Sequence, residues 1–170
     1  MPMNNRAYKI LVADDDESVR ESLCKLLLGE GYQVAAVANG AEAVGTICRR
    51  RRRIDLLLLD LNMPLKNGWA ALDRLLEFNP GLPILILTGQ PHQYEMAAAA
   101  GARALVEKPI DVPALLQFIH QLLNGPGDSC VPGHGDLGCP FQIVRAAGYV
   151  SPYLWKEYGV TPYHHGGLNE

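Results

Sequence analysis

Four consecutive leucines, Leu56 to Leu59, run straight into Asp60, and Pro64 follows four positions later. An apolar run this short, with no polar alternation, reads as a strand buried on both faces. Strands of that kind belong to parallel sheets covered by helices on either side. The stretch from Ile54 to Pro64 therefore sets the fold class as α/β. Its terminal aspartate falls at the carboxyl edge of the sheet, where open α/β sheets keep their ligand sites. Asp60 is the candidate reactive group.

The flanking sequence repeats the same theme. Tyr8 to Ala13 reads as a first strand, and Val19, Leu23, Leu26 and Leu27 then recur at helical spacing up to Gly31, a suitable C′ residue. Gln33 to Ala38 is a second strand, followed by an Asn39-Gly40 turn and a helix from Ala41 to Arg50. After the leucine strand, Asn67-Gly68 breaks the chain and Trp69, Leu72, Leu75 and Leu76 mark a third helix. Pro83 to Thr88 is the fourth strand, Gln93 to Ala100 an alanine-rich helix, and Ala104 to Glu107 the fifth strand. Asp111 caps a last helix that carries Leu115, Leu116, Ile119, Leu122 and Leu123 on one side. Five alternations of strand and helix predict right-handed crossovers and a doubly wound parallel sheet with helices on both faces.

Composition supports a packed soluble domain. Hydrophobic residues make up 48% and charged residues 19% of the 170, with a net charge of −3, so nothing in the overall balance calls for nucleic acid or a membrane. No apolar run reaches membrane-spanning length, and Met1 to Lys9 lacks the apolar core of a signal peptide. Cys24 and Cys48 sit within helical patterns, which suits a reducing cytoplasm rather than a disulfide scaffold.

A parallel sheet delivers all its strand ends to one edge. Asp14 and Asp15 follow the first strand, Asp60 ends the third, Thr88 the fourth, and Lys108 follows the fifth. Three carboxylates gathered within about 5 Å repel by roughly 3 kcal/mol per pair at an effective dielectric near 20. An all-oxygen cluster of that kind suits Mg²⁺. A carboxylate can also accept a phosphoryl group by nucleophilic attack. The cation and Lys108 then offset the charge on the transferred group, and the Thr88 hydroxyl donates to one of its oxygens.

These segments, Ile10-Leu11-Val12-Ala13-Asp14-Asp15-Asp16, Asp60-Leu61-Asn62-Met63-Pro64, Leu87-Thr88-Gly89 and Lys108-Pro109, resemble the receiver domain of bacterial two-component response regulators. The resemblance covers residues 6–124 and implies a flavodoxin-like five-stranded sheet in the order 2-1-3-4-5. It implies Asp60 as phosphoacceptor from a sensor histidine kinase or phosphotransfer protein. It implies Asp14, Asp15, Asp60 and the backbone carbonyl of Asn62 as Mg²⁺ ligands, with Asp15 the more direct of the acidic pair. Thr88 becomes the switch hydroxyl, Lys108 the phosphate-pairing lysine, and Lys108-Pro109 a cis bond. It also allows a homodimer through the face formed by helix 4, strand 5 and helix 5. The family usually places an aromatic residue three positions before the lysine; here that residue is Leu105. By the same analogy Asn62 and Gln90 tune the lifetime of the phosphoryl group.

On this reading the chain is a phosphorylation-dependent signalling switch and not an enzyme with an external substrate. A degenerate receiver serving as a binding scaffold is the alternative. A Mg²⁺-dependent aspartyl phosphatase needs a second carboxylate two residues after the nucleophile, where this chain has Asn62. The run Arg49 to Arg53 reads either as a solvated helix end or as an anion patch. Residues 125–170 form a Gly/Pro-rich extension of irregular structure. Cys130, His134, Cys139 and His164 or His165 lack the tight pairs of common zinc modules. With Arg145 and Lys156 against Asp128, Asp136, Glu157 and Glu170, this segment does not read as a DNA-binding unit. It reads as a loosely docked extension or a segment that orders on a partner around Trp155.

Overall fold

The computed structural model of the chain describes residues 7–49, 54–63, 68–124 and 142–144. Five strands, β1 (Lys9–Ala13), β2 (Gln33–Val37), β3 (Leu56–Asp60), β4 (Ile84–Thr88) and β5 (Ala104–Glu107), alternate with five helices. These are α1 (Glu17–Gly29), α2 (Gly40–Arg49), α3 (Gly68–Phe78), α4 (Tyr94–Ala99) and α5 (Val112–Asn124). The strands are all parallel and lie in the expected order β2-β1-β3-β4-β5.

The leucine run behaves as a two-faced strand. Leu57 and Leu59 join one apolar cluster with Ile47 of α2, Leu72 and Leu75 of α3 and Ala97 of α4. Leu56 and Leu58 join the other, with Leu23 and Leu27 of α1 and Leu115 and Ile119 of α5. Each fully buried leucine contributes about 1.5–3 kcal/mol of transfer free energy. β3 is thus the axis on which both layers of helices pack. Asp55, just before it, accepts from the Lys9 N–H at 2.7 Å and donates its own N–H to the Lys9 carbonyl at 2.8 Å, pinning β3 to β1.

Helix boundaries follow local chemistry. Asp16 caps α1, accepting from the Ser18 and Val19 N–H groups. Asp111 accepts from the Ala114 N–H and caps α5 as expected. Gly31 and Gly101 stand at φ +85° and +91°, the left-handed geometry that ends a helix at glycine. One boundary differs from expectation. Asn39 is a helix cap rather than a turn residue: its Oδ1 accepts from the Glu42 N–H at 2.9 Å. The Glu42 carboxylate reaches back to Asn39 Nδ2 and the Ala38 N–H. The reciprocal pair pulls Gly40 into the first turn, as a capping box does.

The extension expected to be irregular contributes a strand. β6 (Gln142–Val144) lies parallel to β5, pairing Leu105 with Ile143, so the sheet has six strands. A three-residue strand carries too little periodicity to stand out among its Gly- and Pro-rich neighbours. Arg50 to Arg53, Pro64, Cys130, His134, Cys139, Trp155 and His164-His165 lie outside the described residues.

Candidate functional site

Strand register brings the polar residues to one level. Ala13 pairs with Leu59, so Asp14 stands beside Asp60. Asp60 pairs with Leu87, and Thr88 with Glu107, which places Thr88 and Lys108 one step further along the same edge. The Lys108 N–H donates to the Thr88 carbonyl at 2.7 Å, and the Lys108-Pro109 bond is cis.

Asp14 and Asp60 are buried in the same way. Each has Oδ1 held by the backbone N–H two residues on: Asp16 to Asp14 and Asn62 to Asp60, both at 2.9 Å. Each has Oδ2 held by Lys108 Nζ, at 3.0 Å to Asp14 and 2.9 Å to Asp60. Asp15, exposed to solvent, brings a carboxylate oxygen into the same group, and the three acids lie within 4.8 Å of one another. Burial pushes the Asp14 carboxyl above its usual value of 3.8, outweighing the Lys108 and Asp16 hydrogen bonds. Burial alone would lower Lys108, but its hydrogen bonds to Asp60 and Asp14 hold the ammonium above its usual 10.5.

Among the described residues, three carboxyl groups and one ammonium share this half-buried pocket, so acidic groups outnumber basic ones. All the donors offered are oxygens, and one acid stays open to water. That set fits a hard divalent cation that keeps some of its own hydration, and Mg²⁺ meets the description. Asp14, Asp15 and Asp60 are the side chains able to hold it.

Thr88 is fully buried, and its hydroxyl is engaged by the loop that follows. It accepts from the Gln90 N–H at 3.1 Å and donates to the Gln90 carbonyl at 3.4 Å. The second contact is long, so a charged acceptor would compete well for the proton. Leu105 is fully buried in the cluster that also takes in Tyr94, Ala97, Ala98 and Ala100 around α4.

Three supports were not read from sequence. Arg20 reaches from α1 to the Asp14 and Asp15 carbonyls at 2.8 and 3.3 Å, steadying the acidic loop. No spacing rule signals that contact. Gly68, read as a chain breaker, packs against β3: a Cβ there would lie 2.6 Å from the Asp60 carbonyl oxygen and from Leu61 Cα. The Gln90 backbone, not its side chain, is what engages Thr88. Beside the acids, Leu61, Asn62, Met63, Trp69 and Gln90 line an open cavity of about 400 Å³.

The profile of the response regulator receiver domain matches residues 10–120. The chain belongs to the response regulator receiver family. It is 31% identical over 124 residues to the chemotaxis protein CheY of Treponema pallidum, covering 71% of this chain and 86% of that protein. It is 37% identical over 152 residues to the DNA-binding response regulator MtrA of Mycolicibacterium smegmatis, covering 86% of this chain but only 65% of that relative. Among solved structures, a response regulator of Thermotoga maritima in complex with Mg(2+)-BeF matches with a TM-score of 0.63 at 28% identity. That match covers 68% of this chain and 99% of the other. Receivers are regulatory phosphoacceptor domains of two-component systems; switching by phosphorylation and Mg²⁺ binding at an acidic pocket are family properties. Among the described residues, no helix is long and apolar enough to cross a membrane.

Proposed function

We propose that this receiver takes a phosphoryl group on Asp60 from the phosphohistidine of a sensor histidine kinase or phosphotransfer protein. The observation that carries the reading is the bridge of Lys108 Nζ between Asp14 and Asp60. A buried carboxylate flanked by a second acid and one ammonium is poised to receive an anionic group rather than to move protons. A carboxylate oxygen of Asp60 forms the bond to phosphorus as the bond to the imidazole nitrogen breaks, and the imidazole leaves with the electron pair. Lys108 stays within reach of the new anion and offsets its charge, and Thr88 exchanges its long contact to Gln90 for a phosphoryl oxygen. Asp14, Asp15, Asp60 and the Asn62 carbonyl would hold Mg²⁺, which would supply positive charge against the transferred oxygens.

Thr88 and Lys108 both adjoin β5, and Leu105 connects β5 to the packing of α4. Phosphorylation on this reading shifts a population between two arrangements of α4, β5 and α5. The output is a changed affinity for a downstream protein, with self-association through the same face as one form of it. Residues 6–124 act as the receiver, and 125–170 as an extension that does not bind DNA. The site of action is the cytoplasm, where a kinase and its ATP are found.

Incubation with acetyl phosphate and Mg²⁺, read by intact mass, tests the reading. A gain of one phosphoryl group that needs the divalent cation and is absent in Asp60→Asn supports it. No gain in the native chain would favour a scaffold that binds without being phosphorylated.

A further inference from the structure

β5 would be an edge strand without β6, and most of it lacks the usual protection of an edge. Ala104, Leu105 and Val106 are apolar and buried with no proline among them, and the strand's one charged residue, Glu107, comes at its end. Such an edge presents unpaired N–H and C=O groups to any extended segment. Lys108 donates its N–H to the Thr88 carbonyl in β4 at 2.7 Å. Alternation back along the strand turns the Val106 and Ala104 amides toward β4 and the Leu105 and Glu107 amides toward β6. The register Ala104↔Gln142, Leu105↔Ile143 and Val106↔Val144 sets the Leu105 backbone between the Gln142 carbonyl and the Val144 N–H.

We propose that the β5 edge is a strand-addition site, held in cis by this chain's own Gln142–Val144, which keeps the edge of a second copy off it. The connection is plausible in topology: β5, α5 and β6 repeat the strand-helix-strand unit of the rest of the sheet. Residues 125–141 separate α5 from β6, more than the few residues such a connection needs. Three residues of ladder make a weak contact between separate molecules. Tethering raises the local concentration to about the millimolar range, so the cis pairing prevails over the same contact made in trans. The capped edge belongs to the strand that delivers Lys108, on the side where the receiver's output surface is expected. The inference stands apart from Asp60 chemistry and does not depend on it.

The test compares the full-length native chain with full-length Val144→Pro. Proline removes the Val144 N–H from the ladder. The expected result is at least about tenfold faster hydrogen exchange at Leu105 and Glu107 in the variant. Amides of β1 and β3 should keep their native protection, since those strands lie inside the sheet, between β2 and β4. In sedimentation velocity the variant should self-associate at concentrations where the native chain is monomeric. A synthetic peptide of residues 139–147, added to the variant at millimolar concentration, should restore protection at Leu105 and Glu107. Unchanged exchange at those two amides would overturn the proposal. So would a variant that exchanges faster yet stays monomeric and does not respond to the peptide.

Discussion

Lys108 Nζ stands 2.9 Å from Asp60 Oδ2, although 48 residues separate the two in the chain. The contact exists because β3 and β5 flank β4 in register, and each hands over its polar residue at the same edge. Among the described residues, Lys108 is the ammonium set against Asp14 and Asp60. Replacing it with methionine leaves two buried carboxylates facing each other without a counter-charge. In the absence of divalent cations, Lys108→Met should lose about 1–3 kcal/mol of stability in urea unfolding. Mg²⁺ should bind it more tightly, because the pocket becomes more negative; calorimetric titration reads that change.

The pH dependence of the metal-free chain follows from the same contact. The folded-state pKa of Lys108 lies above 10.5 because its hydrogen bonds to Asp60 and Asp14 outweigh burial. Its contribution to stability is therefore complete below 10.5 and disappears as pH rises through the folded value. Thermal melts across that alkaline window should show a steeper loss in the native chain than in Lys108→Met. Asp14 has the opposite consequence. An acid whose folded pKa lies above 3.8 costs stability once ionised, so Asp14→Asn should flatten the loss of stability on raising the pH from about 4.

Gly68 is the position where a single methyl group should disturb the acceptor strand. Its missing Cβ leaves room for the Asp60 carbonyl and Leu61 Cα, both backbone atoms that cannot swing aside. Gly68→Ala should cost about 1–3 kcal/mol and slow the gain of phosphoryl from acetyl phosphate. Chemical unfolding and time-resolved intact mass measure the two effects separately.

Leu105 should separate chemistry from signalling. It is fully buried against the α4 layer and makes no polar contact with the acids. Leu105→Ala should lose about 2–5 kcal/mol of stability while still taking a phosphoryl group on Asp60. The chemical-shift changes that phosphorylation produces in residues 94–99 should shrink in this variant. Equal changes in both proteins would remove Leu105 from the route.

The leucine run made β3 legible because four apolar residues in sequence have no stable place on a half-exposed surface. Once the sheet was read as parallel, Asp14, Asp15, Asp60, Thr88 and Lys108 had to meet at one edge, and they do. What could not be read depends on three-dimensional fit. The close approach at Gly68 is invisible until β3 and α3 are packed. Arg20 reaches its carbonyls by the curl of the acidic loop, and Thr88 meets the Gln90 backbone through the turn after β4. Asn39 carries the same dipeptide signal as a hairpin turn, and only Glu42 three residues on marks it as a cap. β6 has so short a pattern that its pairing with β5, some forty residues earlier, decides its structure.

The central claim is that Asp60, and no other carboxylate, carries the phosphoryl group. An acyl phosphate is reduced by borohydride to an alcohol, which turns a phosphorylated aspartate into homoserine and marks it permanently. The native chain, treated with acetyl phosphate and Mg²⁺ and then reduced, should show homoserine at position 60 alone in peptide mass mapping. Homoserine at position 14 or 15 instead, or no homoserine in a chain that has gained phosphoryl mass, would contradict the account.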